Sequence, residues 1–381
     1  APYLLPVAAP ALRAAFPGLT LLWTEERTAT LVQGLEAGEL DAALLALELA
    51  EPRGAAADAM AWQAALDLSV GSGEQHDPDL LALTDGSLQA IWVDDLQEPG
   101  SSLWAAVRLP GATAWQEPRR VESLVPGDAS PPAVLAAPQL AEDPWGRVHA
   151  IWIRRAASGA SVWHAYRRPG WPSWSLVERI DGGGDIDRED PDLVADTYGS
   201  LHAVWTEGRQ EVDIAYATKV SDAAWTVPVR LNNPPEGVQR RPVLAAAPDG
   251  NLYAAWEDTR DGRSGIAASR LPPGGAVWWP NAMLAADAGS AAQRAPVISI
   301  DPAGRPVVAW LDQAGLGRIR VASLDAPEAF WHAEGVWYEA RLGPLQAMDL
   351  VAGPSGSRAL VWTEGRADDG VVPRGPGRLL A

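Results

Sequence analysis

Seven tryptophans, Trp23, Trp92, Trp152, Trp205, Trp256, Trp310 and Trp362, each close a short apolar run, and in six cases an acid stands two residues further on. They recur about every 50 residues after two longer intervals, and a period of that size marks a solenoid, a propeller or an array. The fullest copy runs from Pro191-Asp192-Leu193-Val194 through Gly199 to Val204-Trp205-Thr206-Glu207, then Ile214-Ala215-Tyr216 and an outer Trp225. The next copy realigns at Pro242-Val243-Leu244, Gly250, Ala255-Trp256-Glu257, Ile266-Ala267 and Trp278.

Each unit parses into four strand signals separated by turn residues, as at Asp249-Gly250, Asp261-Gly262 and Pro273-Gly274, which predicts a four-stranded antiparallel meander. Both parities of the tryptophan strand are apolar, as in Val308-Ala309-Trp310, so both faces of the sheet are buried. Sheets stacked face to face around an axis satisfy that demand and leave only short edges. The expectation is an all-β chain, a seven-bladed β-propeller of four-stranded antiparallel blades in one domain, residues 1–381. The blades fall at 9–70, 71–125, 126–181, 182–232, 233–285, 286–343, and 344–381 with 2–8. The last unit has strand signals at 345–351, 358–362 and 370–374 but no fourth, whereas Tyr3 to Val7 has no partner in its own repeat. That N-terminal strand is expected to complete the last blade and close the ring.

Composition excludes several function classes. A net charge of −19 opposes a sequence-independent grip on nucleic acid or on an anionic membrane surface. The absence of cysteine removes disulfides, thiolate zinc sites and thiol nucleophiles. No apolar run reaches the roughly 18 residues of a membrane span. The chain opens at Ala1-Pro2 without Met, as after removal of a signal peptide, and an exported, extracellular or cell-surface protein is expected.

The pattern of Pro, two apolar residues, Asp-Gly, an apolar pair with Trp and an acid, and then an outer Trp resembles the sialidase-like, bacterial-neuraminidase-repeat propellers. The unit with Trp256, Glu257, Asp258, Thr259, Arg260, Asp261, Gly262 and Trp278 carries the resemblance best. It implies a class holding sialidases, other glycan-processing enzymes, lectins and interaction platforms, and fold alone does not choose among them. The chain departs from the class in its turns. The Asp-box positions read Ser221-Asp222-Ala223-Ala224-Trp225, Pro110 to Trp115 and Pro169 to Trp174, and Tyr3-Leu4-Leu5-Pro6 lacks the arginine of the Arg-Ile-Pro signature.

In a symmetric wheel, what recurs builds blades and what departs from the rule is the candidate for function. The recurring acids, Glu25, Asp94, Glu207, Asp258, Asp312 and Glu364, are read as rim residues in ion pairs, some with Arg27, Arg209 and Arg366 two positions on. The third unit breaks the rule with Arg154 and Arg155, two guanidiniums able to hold a carboxylate or sulfate. Segments leading into the inner strands return to the same rim, so His76, Asp77, Glu189, Asp190, Arg240, Arg241 and Arg294 are expected around the channel mouth as ligand-binding residues. Asp185, Asp187 and Glu189, after three glycines, form a calcium candidate, although the EF-hand glycine is replaced by Asp190. His149 and His202, three before a tryptophan, read as core histidines, and no Gly-x-Ser-x-Gly elbow is present.

The first unit carries extra apolar material. Leu31, Val32, Leu35, Leu44, Leu45 and Leu47 sit in a hairpin extension or a short helix, and exposed leucines of that kind mark a partner contact. The functional expectation is a noncatalytic recognition or scaffold propeller for a glycan or a protein. A glycan-active hydrolase or lyase using rim carboxylates is one alternative, and a surface-assembly subunit docked through the first blade is another.

Overall fold

The computed structural model describes residues 74–95, 100–124, 133–184, 186–284, 291–301, 303–324, 331–340, 344–352, 358–364 and 378–380. They form six antiparallel sheets within one compact unit, residues 67–380, with no helix among them. The first sheet is β1 (Glu74–Ala82), β2 (Leu88–Asp95), β3 (Ser101–Arg108) and β4 (Arg119–Leu124). The second is β5 (Val134–Glu142), β6 (Val148–Ala156), β7 (Gly159–Arg167) and β8 (Glu178–Arg179). The third is β9 (Arg188–Ala195), β10 (Leu201–Glu207), β11 (Asp213–Lys219) and β12 (Val229–Arg230). The fourth is β13 (Gln239–Ala246), β14 (Leu252–Asp258), β15 (Gly265–Leu271) and β16 (Ala282–Met283). The fifth is β17 (Gln293–Ile300), β18 (Pro306–Asp312), β19 (Arg318–Ser323) and β20 (His332–Glu339).

The sixth sheet has three strands, β21 (Leu345–Ala352), β22 (Arg358–Glu364) and β23 (Arg378–Leu380). Its third strand therefore lies beyond the 370–374 expected from sequence. The expected first blade, the clasp strand Tyr3 to Val7 and the candidate partner contact lie outside the described residues, as does Asp185.

Every sheet is a simple meander, and inner strands of successive sheets touch one another. The tryptophan strand sits second and is sandwiched. Trp152, Trp205, Trp256 and Trp310 are fully buried, with Ala203, Ala254 and Ala309 leaving room for the neighbouring sheets. The cores lie between sheets. Ile151 and Val162 of the second sheet, for example, pack with Leu193 and Trp205 of the third.

One irregularity repeats along the inner strands. Five inner strands contain an X-Pro pair, Asp77-Pro78, Ala137-Pro138, Asp190-Pro191, Arg241-Pro242 and Ala295-Pro296, and in each the register slips so that the pair opposes one tryptophan. This is a β-bulge, and proline suits it because a bulged residue gives no N–H to the ladder. Each residue before the proline has φ of +49° or +50°. A side chain rarely adopts that conformation unless its surroundings impose it.

In three of the five, a neighbouring sheet braces it. Ala137 N donates to Asp77 Oδ2 at 3.0 Å, Arg241 N to Thr206 Oγ1 at 3.1 Å, and Ala295 N to Glu257 Oε1 at 2.7 Å. In each case the acceptor belongs to the preceding sheet, so the bulge is also a seam between sheets.

Three of the recurring acids do not stand on the rim. Asp94, Asp258 and Asp312 are buried. Asp258 accepts the Trp256 indole N–H at 3.1 Å and is clamped by Arg260, while Glu207 accepts the Trp205 indole at 3.1 Å and binds Arg188 Nε at 2.8 Å. Asp94 instead takes Gln75 Nε2 and Asp312 takes Arg320 Nε, and the Trp92 and Trp310 indoles find no acceptor among the described residues. Arg209 pairs with Asp187 at 3.4 Å, not with the acid two residues before it.

Candidate ligand-binding site

The bulged ends of β1, β5 and β9 open onto a cavity of about 450 Å³. Asp77, Gln139, Ile153, Arg155, Glu189 and Asp190 line it, so three successive sheets contribute polar side chains to one concavity. Arg155 and Arg240 stand 3.8 Å and 3.9 Å from the two oxygens of Glu189, a loose clamp between half-exposed groups. Such contacts exchange readily for ligand hydroxyls because exposed ion pairs contribute little.

The other side of the cavity is firmer. Asp190 Oδ2 accepts Thr206 Oγ1–H at 3.2 Å, and burial raises the Asp190 carboxyl above its ordinary value even though Arg241 opposes the shift. Asp77 holds the Ala137 amide and lies 3.4 Å from His76 Nδ1. His76 Nε2 is 3.1 Å from Asp95, which places this ring beside the mouth.

The remaining candidates are committed elsewhere. Arg154 is ion-paired with Glu122 of the first sheet, which also takes the Trp152 indole at 2.6 Å, and its guanidinium lies 3.4 Å over the Trp163 ring. Its Nε and Nη2 edge is thereby taken by Glu122. Arg241 binds Glu257 at 2.9 Å, and Arg294 donates to Leu345 O at 2.9 Å, so both act as links to neighbouring strands. The calcium candidates Asp187 and Glu189 face arginines, and no group of three metal-ligating side chains converges among the described residues.

Two carboxylates deeper along the inner strands carry the largest seam role. Asp79 accepts Leu80 N at 2.9 Å and Leu140 N at 2.8 Å, and Asp192 accepts Leu193 N at 2.8 Å and Leu244 N at 2.6 Å. Each fastens the inner strand of the following sheet. Burial pushes Asp192 up to about 7, and burial raises Asp79 as well, with Asp349 adding repulsion. Their signal in the sequence was an Asp directly after the bulge proline, where the other sheets carry Gln139, Val243 and Val297.

A second titratable chain lies inside the second sheet, away from the mouth. Asp143 Oδ2 meets His149 Nε2 at 3.3 Å, His149 Nδ1 meets His164 Nε2 at 3.1 Å, and His164 Nδ1 meets Glu178 Oε1 at 2.9 Å. Lys219, the single lysine of the chain, closes it on Glu178 at 2.8 Å. Burial pushes His164 down to about 4, while the His164 bond holds Glu178 at about 2. His149 and His202 are core residues, and His202 bonds Tyr216 at 2.8 Å and Asp196 at 3.3 Å.

No known family profile matches the chain, and no curated protein is similar to it in sequence. Solved structures do match. A Dyadobacter fermentans protein of unknown function aligns with a TM-score of 0.55 at 13% identity, covering 81% of this chain and 93% of that one. The leech intramolecular trans-sialidase aligns with a TM-score of 0.55 at 12% identity, over 77% of this chain and 65% of its own length. The Fusarium graminearum α-L-arabinofuranosidase aligns with a TM-score of 0.51 at 14% identity, over 76% of this chain and 87% of its own. The chain therefore has the sialidase-like β-propeller fold.

Proposed function

We propose that this protein is an exported propeller that binds a glycan at the mouth formed by β1, β5 and β9, without cleaving it. The observation that carries the reading is the cavity itself, where acceptors from Asp77, Glu189 and Asp190 face donors from Arg155 and Gln139. A saccharide presents alternating donors and acceptors on a compact ring, and a concave site with few convergent polar groups suits it. The loose Arg155–Glu189–Arg240 contacts leave donors and acceptors ready for exchange with ligand hydroxyls. The solved relatives named for activity on sialic acid and arabinose support a glycan over a protein partner.

The noncatalytic part rests on how the deep carboxylates are used. Both oxygens of Asp192 and of Asp79 hold backbone N–H groups, and neither residue lines the cavity, so these carboxyls serve the seams between sheets rather than a bond at the mouth. One observation favours hydrolysis as a second reading, namely that burial raises the Asp192 carboxyl to about 7 and the Asp79 carboxylate adds to the shift.

A glycan array probed with the wild type and with Glu189→Gln, alongside turnover assays on the same glycans, tests both. Binding without turnover, weakened at least tenfold in the variant, is the expected result. Silence on the array overturns the glycan reading, and turnover abolished by Asp192→Asn replaces binding with hydrolysis.

A further inference from the structure

At the opposite end from the mouth, a cleft of about 260 Å³ lies between the first and second sheets. Its walls come from β3, from the segment joining β3 to β4, and from the turn after β7. Gln89 forms part of it and is 1% exposed, with its Nε2 bonded to Ala90 O and Ala106 O. Trp171 and Trp174 supply indoles, and Arg119, Glu117 and Arg167 supply charge.

Arg167 is the unusual member. Most arginines of the described residues rest on carboxylates, as Arg154, Arg188, Arg260 and Arg320 do. Arg167 donates to Gln89 Oε1 at 2.8 Å and to Trp171 O at 3.5 Å, and it has no salt bridge among the described residues. Burial lowers its pKa, with the charge of Asp85 opposing the shift but making no ion pair with it. A guanidinium has five N–H donors in a planar fork that matches a carboxylate, and a desolvated one without an anion is under-satisfied.

The indole beside it is equally unusual for so large a ring. Trp171 is 56% exposed, although it lines the cleft and has the Arg168 guanidinium 5.3 Å from its centroid. An exposed indole offers a flat apolar face on which the C–H face of a pyranose can lie, while its rim stays polar. The volume is slightly below the range of about 300–1,000 Å³ for drug-sized ligands, which fits one ring better than a chain.

We infer that this cleft is a second, independent saccharide site that takes a single carboxylate-bearing sugar ring, stacked on Trp171 with its carboxylate on Arg167 and its hydroxyls toward Gln116, Glu117 and Arg119. The carboxylate supplies the anion that Arg167 lacks. It also explains why an acidic protein keeps an unpaired guanidinium in a cleft. A free carboxylate lacks the stacking ring, and a neutral sugar lacks the anion, so neither alone satisfies both walls.

Calorimetric titration of the full chain with glucuronate, glucose and acetate reads this out. Glucuronate is expected to bind at least tenfold more tightly than glucose or acetate. Trp171→Ala and Arg167→Met are each expected to weaken glucuronate at least tenfold, and Arg167→Met to erase its advantage over glucose. Trp171 is exposed enough that its replacement leaves folding intact, so that variant decides the matter if Arg167→Met fails to fold. Equal binding of acetate, no preference over glucose, or unchanged glucuronate affinity in Trp171→Ala overturns the inference. Loss of binding in Glu189→Gln with retention in Trp171→Ala assigns the sugar to the mouth instead and also overturns it.

Discussion

The two ends of the sheets both hold neighbours together by polar contacts, but only the far end adds rings packed on glycines. At the mouth, carboxylates and hydroxyls reach across to backbone N–H groups of strained bulges, as Asp77 does to Ala137 and Asp192 to Leu244. At the far end, aromatic rings lean on turn glycines of the next sheet. Trp145 lies where a Cβ on Gly199 would come within 2.1 Å of the indole, and Tyr198 does the same at Gly250 at 2.9 Å. The far end has polar contacts of its own, as from Thr84 N to Glu142 Oε2 at 2.7 Å and from Arg147 to Asp222 at 3.1 Å, and adds shape to them. At the mouth the candidate pair Arg155 with Glu189 occurs in one place, whereas at the far end Arg167 takes a position that is also basic in the adjoining sheets, as Arg108 and Lys219, and Trp171 is what sets it apart.

The largest break in this comparison comes from the shared core. Trp256→Ala removes a fully buried ring and is expected to cost about 3–5 kcal/mol by urea unfolding, whereas the exposed Trp171→Ala stays within about 0.5 kcal/mol. Equal costs would mean that the sheets are not packed through the tryptophan strand.

At the mouth, Asp192→Ala leaves the Leu244 amide without its acceptor and is expected to cost about 1–3 kcal/mol. At the far end, Gly199→Ala places a methyl into the Trp145 ring at a residue with φ of +82°. A loss of about 1–2 kcal/mol is expected there, partly recovered in the Gly199→Ala, Trp145→Ala double variant because the clash is gone and only the backbone strain remains. Additive losses would show that the indole does not lie on the glycine.

The smallest effects are in pH dependence, and their signs differ between regions. Asp192 has a folded pKa of about 7 against an ordinary 3.8, so the folded state binds its proton more tightly and stability falls as pH rises through that window. His164 has a folded pKa of about 4 against 6.5, so the unfolded state binds the proton more tightly and stability falls as pH drops from 6.5 towards 4. Glu178 and Asp143, both held at about 2, extend the acid loss below pH 4. Asp192→Asn is expected to leave a steeper decline on acidification, and His164→Gln a shallower one, in denaturation midpoints measured from pH 4 to 7.5.

The repeat, the four-strand unit and the sialidase-like resemblance were legible because the tryptophan strand must be apolar on both faces in every copy. What spacing could not show is which neighbour covers a residue. Asp94, Asp258 and Asp312 share a strand side with their tryptophans as read, yet the adjoining strands and sheets bury them. Arg154 looked available because its partner, Glu122, stands 32 residues earlier on another sheet's outer strand. The bulge prolines were visible in the repeat, but the positive φ before them was not, nor were the contacts between sheets that brace it at Ala137, Arg241 and Ala295. Asp77, Arg155, Glu189 and Asp190 were named from sequence and line one cavity, because the meander returns every inner strand to the same end. Arg167 and Trp171 were not legible as a site because Arg167 takes a position that is basic in three sheets, with Arg108 and Lys219, and no motif joins it to Trp171.

Backbone amide shifts recorded while a glycan retained on the array is titrated into the protein test the central claim most directly. Changes centred on Asp77, Ala137, Gln139, Arg155, Glu189 and Asp190, lost in Glu189→Gln, are the result expected for a glycan seated at the mouth. Changes confined to the far-end turns, or none near β1, β5 and β9, would contradict it.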